Sequence, residues 1–216
     1  MEKLQPNHSY HIYNHANGFE NIFEEDENYR FFLEKYVLYI SPIAETYSYC
    51  LLPNHFHLVV RIRKEEVINQ IFRVYNFSKV QNFGKVINQP QITDEQIEYF
   101  ISKQFSRLFS CYTQSFNKVN NRKGSLFIKN FKRQHISDRE YFKSAVIYTH
   151  RNPIHHGFCL GFEDGTYTSY NEITNNTSQI IETTKLLKVF EGLKAFKDAH
   201  NTALDKFRQQ LFGDIK

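Results

Sequence analysis

The spacing of apolar positions switches along the chain between a period near two and a period near 3.6. Tyr10-His11-Ile12-Tyr13-Asn14 alternates and reads as a first strand, followed by a loop at His15-Ala16-Asn17-Gly18-Phe19. From 26 to 40 the apolar residues Phe31, Leu33, Tyr36, Val37 and Ile40 recur at helical spacing, and Pro42 stops that helix. Residues 45–52 alternate through Tyr47, Tyr49 and Leu51 as a second strand. A Pro53-Asn54 turn then leads into a third, expected to pair antiparallel with the second.

A helix follows at 64–75, with Val67, Ile68, Ile71, Phe72 and Tyr75 on one side. The polar stretch 76–91, with Gly84 and Pro90, reads as a loop. Residues 93–117 form a long helical pattern, opened by a capping box of Thr93 and Gln96. Its stripe is Ile97, Phe100, Ile101, Phe105, Leu108, Phe109 and Tyr112. A loop at 120–124 and an extended segment at 125–133 come next. Ser137-Asp138-Arg139-Glu140 reads as a second capping box, and Pro153 should end its helix near Arg151. Residues 168–170 read as loop, and 179–200 and 202–212 as one or two amphipathic helices. The whole is α+β, with a domain over 1–165 and a helical extension over 166–216. That extension either packs on the core or projects toward a partner.

Two of these elements carry candidate chemistry. On the third strand, alternation sends Phe56, Leu58 and Val60 to one face and His55 and His57 to the other, roughly 6–7 Å apart. Two imidazoles so placed can hold one metal ion if a third ligand arrives from elsewhere. The plainer alternative is two histidines on the solvent face of an edge strand. On the helix after 137, Phe142, Ala145, Val146 and Thr149 share the core face. Tyr148 and Asn152, four residues apart, stack on the adjoining face. If they lie over the histidines, a divalent cation held by two imidazoles and an amide oxygen stands beside a phenol. Otherwise Tyr148 fills the rim of a core and Asn152 is a helix-terminal residue. Tyr141, two turns earlier, is the reserve phenol. His150, His155 and His156 either contact phosphate or are solvated.

Composition narrows the partner classes only a little. A net charge of +4 and a pI near 8.8 are compatible with nucleic acid without being diagnostic. Three scattered cysteines with no CxxC pair argue against a structural zinc site or a disulfide framework. No apolar signal core and no membrane-length apolar run are seen, so the expected setting is the cytoplasm, with no membrane partner. Arg122, Lys123, Lys129, Lys132 and Arg133, interleaved with Phe127 and Phe131, are the candidates for binding single-stranded DNA. The alternative for them is an ordinary solvated hairpin.

Leu52-Pro53-Asn54-His55-Phe56-His57 resembles the HUH motif, two histidines around a hydrophobic residue. Tyr148-Thr149-His150-Arg151-Asn152-Pro153 resembles the Tyr-x-x-x-Asn-Pro signature of the single-tyrosine HUH transposases, of the insertion-sequence and REP-associated types. Tyr10–Asn14 and Arg122-Lys123-Gly124-Ser125-Leu126-Phe127 resemble two further segments, in the family's order. The likeness spans about residues 8 to 160; Ile128-Lys129 departs from it, where relatives often carry Gln-Gly. It implies a ferredoxin-like (RRM-like) sandwich with a central antiparallel sheet. It also implies cleavage of single-stranded DNA beside a small hairpin, with Tyr148 as nucleophile and a 5′-phosphotyrosine intermediate. The implied metal ligands are His55, His57 and Asn152. Mg²⁺ or Mn²⁺ suits that mixed N/O set, which must keep positions open. The resemblance leaves monomer and homodimer both open. Two other functions compete: a catalytically idle nucleic-acid-binding regulator on the same fold, and a metal phosphodiesterase that uses water and leaves no covalent adduct.

Overall fold

The computed structural model describes residues 2–77 and 92–212. The loop expected over 76–91 lies, from 78 onward, outside them. The elements run β1 (Ser9–His15), α1 (Asp26–Tyr39), β2 (Ala44–Leu52), β3 (His55–Ile62), α2 (Glu65–Phe77), α3 (Asp94–Val119), β4 (Lys132–Ile136) and α4 (Arg139–His155). Then come α5 (Tyr170–Thr174), α6 (Thr183–Phe190) and α7 (Leu193–Phe212). The four strands form one antiparallel sheet in the order β2-β3-β1-β4. This is the ferredoxin-like arrangement that the resemblance implies.

Each face of the sheet is covered by different helices. Phe56 of β3 meets Phe32 of α1 and Phe109 of α3, at centroid distances of 5.5 Å in both cases. The expected stripe of α3 is buried throughout. Its capping box is present: Thr93 Oγ1 accepts from Gln96 N–H at 3.3 Å, and Thr93 N–H donates to Gln96 Oε1 at 3.0 Å. On the opposite face, α4 crosses the sheet with Phe142, Ala145, Val146 and Thr149 buried, as the helical spacing predicts. Among the described residues no helix is long and apolar enough to cross a membrane.

Several local expectations are corrected. A bulge between Thr46 and Ser48 breaks the alternation of β2. Tyr47, the extra residue, packs edge-on against Phe142 of α4 at 5.0 Å, while Tyr49 and Leu51 pair opposite Leu58 and Phe56 of the other face. In α1 the buried residues are Tyr29, Phe32 and Tyr36, while Val37 is exposed. The cap of α4 is Asp138, which accepts from Tyr141 N–H at 2.8 Å, one residue later than expected. The segment 125–131 is irregular apart from one bridge, Phe127 to Ala16, and the strand begins only at Lys132.

The largest correction concerns Pro153, which lies inside α4. Proline removes one donor and disfavours a helical residue before it, but near a helix end the loss is a single bond. The helix closes instead at Gly157, whose φ of +74° suits glycine. Gly157 N–H bonds Ile154 O at 3.1 Å and Phe158 N–H bonds Pro153 O at 2.8 Å, a Schellman closure.

The extension packs on the core. Thr168 bridges Cys50 and Ile181 bridges Thr46, so the outer edge of β2 is covered. Its last two helices separate at Glu191 and Gly192, with φ of +66° and +114°, rather than near 200.

Candidate active site

β3 lies between β2 and β1, so His55 and His57 are not on an edge strand. Both are buried, 3% and 5% exposed. They line a cavity of about 420 Å³. β1 contributes to it by register: Tyr13 stands opposite His57 and His15 opposite His55, so these side chains share a face. The His15 ring stacks on His55 at 4.7 Å, and His156 meets His55 edge-on at 4.9 Å.

α4 brings the other two residues over the pair. The Tyr148 ring meets His57 edge-on at 5.5 Å and His11 at 5.7 Å, and is 40% exposed. Asn152, 1% exposed, places Oδ1 3.1 Å from His55 Nε2. Because the helix continues through Pro153, Asn152 stays one turn below Tyr148. The structure thus gathers His55, His57, Tyr148 and Asn152 in one place. Tyr141 lines the same cavity.

The ring nitrogens show how the site is poised. Burial pushes His55 and His11 down to about 4 and His57 down to about 2, so all three are neutral at pH 7. His55 Nδ1 lies 2.7 Å from Asn54 Oδ1, an oxygen that only accepts, so the proton sits on Nδ1. Nε2 then turns a lone pair toward Asn152 Oδ1, also a lone pair, while Asn152 Nδ2 is buried with no partner. A divalent cation, if bound, would be held by these two acceptors, which stand 3.1 Å apart. Without the cation, half a turn of the Asn152 amide supplies an N–H···N bond. His57 Nδ1 is 2.9 Å from His11 Nε2. With the proton on His57 Nδ1, its Nε2 is left for the cation and His11 holds the tautomer. Among the described residues no three His, Cys, Asp or Glu side chains form a metal-holding group, and the Asn152 amide oxygen is the further donor that stands beside the His55 ring. The role of His11 was not read from the sequence. Its only signal is that it shares the face of Tyr13 and His15 on β1, which requires the β1–β3 register.

His150 differs from its expected solvated or phosphate-contacting role. It is fully buried at 1% exposure and joins α4 to the extension. His200 Nδ1 donates to Phe196 O at 2.8 Å, so His200 Nε2 accepts from His150 Nδ1 at 2.9 Å. His150 Nε2 then accepts from the Ser169 hydroxyl at 2.8 Å, whose oxygen accepts from Tyr49 N–H at 2.9 Å.

The five basic candidates do not form one patch. Arg122 binds Glu20 bidentately, with Nε to Oε1 at 2.8 Å, and reaches Asn117 Oδ1 at 2.9 Å. It staples the 117–125 turn. Lys123 is exposed beside that turn. Lys132 stands opposite Tyr13 on the histidine face, whereas Arg133 stands opposite Ile12 on the α3 face. Lys129 lines a groove beside α3. Phe127 and Phe131 are buried among Phe105 and Phe109, so neither offers an open ring for base stacking.

No family model matches the sequence, and no curated protein gives a significant match. A solved structure does: that of a REP-associated tyrosine transposase bound to a REP hairpin. The alignment covers 83% of this chain and 87% of the other, with a TM-score of 0.52 and 12% identity. The two share a fold. At that identity the likeness concerns architecture, and the chemistry of the site rests on the geometry above.

Proposed function

We propose that this chain cleaves and rejoins single-stranded DNA through a covalent tyrosine intermediate, as an HUH-type strand transferase. What supports the reading is one arrangement: a half-exposed phenol and a buried amide, one helical turn apart, over two neutral imidazoles on the centre strand. The hairpin bound in the structural neighbour favours DNA as the partner.

In this reading Tyr148 Oη attacks a phosphodiester phosphorus. The new bond is Oη–P, the bond that breaks is P–O3′, and the 3′ oxygen leaves as a hydroxyl. Tyr148 is open enough for water to take the phenolic proton. A later 3′-hydroxyl reverses the step, so strands are exchanged with the bond energy conserved. His55, His57 and Asn152 would hold Mg²⁺ or Mn²⁺, which would supply positive charge to offset that developing on the phosphate and help to orient it. A phenol needs such help at neutral pH.

The test is incubation with a pool of labelled single-stranded hairpin oligonucleotides and Mn²⁺, read on a denaturing gel. A covalent adduct mapping by mass spectrometry to Tyr148 and lost in Tyr148→Phe is the expected result. Cleavage without an adduct would replace this reading with hydrolysis by water; binding without cleavage would replace it with an idle binding protein.

A further inference from the structure

A second cavity, of about 500 Å³, lies on the other face of the sheet, between α3 and the segment 125–131. One wall is a line of hydroxyls on α3: Ser102, Ser106 and Ser110, each one turn from the next, then Thr113. The other wall presents Lys129 and Asn130. Arg133 closes one end, with Nη1 3.0 Å from Ser102 Oγ and its guanidinium 4.7 Å over Phe131. Among the described residues no carboxylate lines this groove. Among the described residues Lys129 forms no ion pair. The basic cavity at the N-terminus of α4 is different, since Asp138 sits among its cations.

Hydroxyls and amides beside Lys and Arg are the groups that hold sugar–phosphate backbone. The aromatic rings beneath are buried floor, so the groove suits backbone rather than stacked bases. It is also tied to the candidate active site. Asn14 Nδ2 donates to Ile128 O at 3.1 Å, and Ile128 N–H donates to His15 O at 2.9 Å. The wall that carries Lys129 is therefore bonded to the strand that delivers His15 into the histidine cavity, and the two cavities lie back to back across β1.

We propose that the α3 groove is a sequence-independent clamp for the backbone of the DNA that flanks the scissile phosphate, with Lys129 and Arg133 on phosphates and the α3 hydroxyls as neutral donors. The proposal rests on the DNA-cleavage reading. It explains why the basic candidates split between faces: Lys132 serves the reacting strand, Lys129 and Arg133 the flank.

The test uses the full chain carrying Tyr148→Phe, so that binding is read without turnover, and hairpin oligonucleotides that form the adduct with the unaltered protein. Anisotropy titrations run from about 50 to 200 mM salt, where phosphate contacts dominate the change in affinity. Lys129→Ala should weaken binding and lower the slope of log K against log salt by about one. Ser106→Glu, which puts a carboxylate on the groove wall, should weaken binding at least tenfold. Lys129 is exposed, so its variant tests the groove even if Ser106→Glu fails to fold. Unchanged affinity and slope for Lys129→Ala, with the adduct still forming in the unaltered protein, would overturn the groove alone. A protein that neither binds nor cleaves any oligonucleotide would overturn the groove and the cleavage reading together.

Discussion

Two histidine pairs flank α4, and their difference separates a site from a scaffold. His150 and His200 are sealed: each ring nitrogen has a partner, and the chain of protons from Phe196 O to Tyr49 N–H has one consistent direction. His55 and His57 are equally buried and equally neutral, yet they leave acceptors facing Asn152 Oδ1 and a cavity. Burial and lowered basicity are common to both pairs, so neither marks function. What separates the pairs is that the pair on β3 opens on a cavity, with the half-exposed Tyr148 ring against His57. The sealed pair holds the extension onto the core; the open pair has room for a cation and a phosphate.

The largest expected effect comes from the residue over the open pair. Tyr148→Phe should remove adduct formation by roughly 10³-fold or more while leaving the thermal midpoint nearly unchanged, because the side chain is 40% exposed and its hydroxyl bonds to none of the described residues. Substitutions in the two pairs should then trade places. His150→Ala should cost about 2–4 kcal/mol of stability in urea melts, since it removes a buried ring, leaves His200 Nε2 buried without a partner and takes the closest acceptor from the Ser169 hydroxyl. His57→Ala should lower Mn²⁺ affinity by roughly 10- to 100-fold or more, with the larger signal in the metal titration. If both variants lost mainly stability, the contrast between the pairs would collapse.

Acid should act on both pairs alike. Burial lowers His11, His55 and His200 to about 4 and His57 to about 2, and His150 also lies well below its usual value. The folded state keeps these rings neutral while the unfolded chain takes up protons below about 6.5. The unfolded state therefore binds more protons in that window, and stability falls as pH drops from about 6.5 toward about 4. The protein should therefore be less stable in melts at pH 5 than at pH 6. A flat profile over that unit would contradict the neutral, buried assignment. The smallest effect is expected at Pro153→Ala, which returns one helical donor near the end of α4 and should change stability by less than about 1 kcal/mol without altering Mn²⁺ affinity.

Much of this was legible from local periodicity. Alternation separated His55 and His57 from Phe56 and Leu58, and the 3.6 period separated Tyr148 and Asn152 from Phe142 and Val146. What stayed hidden depends on pairing between distant segments. His11 reaches His57 only through a register linking residues 46 apart, and His150 reaches His200 across 50. The Thr46/Ser48 bulge rotates Tyr47 out of an otherwise regular alternation, which no period reveals. Pro153 misled for a different reason: a strong local penalty was outweighed by the Gly157 closure and by the burial of Asn152 and Pro153. The basic candidates are close in sequence, but β4 alternation sends Lys132 and Arg133 to opposite faces.

The most direct measurement is pulsed electron paramagnetic resonance of Mn²⁺ added to the unaltered protein near neutral pH, reading nitrogen couplings to the ion. The account predicts coupling to two imidazole nitrogens, reduced to one in His55→Ala and in His57→Ala, and unchanged in His200→Gln. An ion without imidazole coupling, or coupling that survives both substitutions on β3, would contradict it.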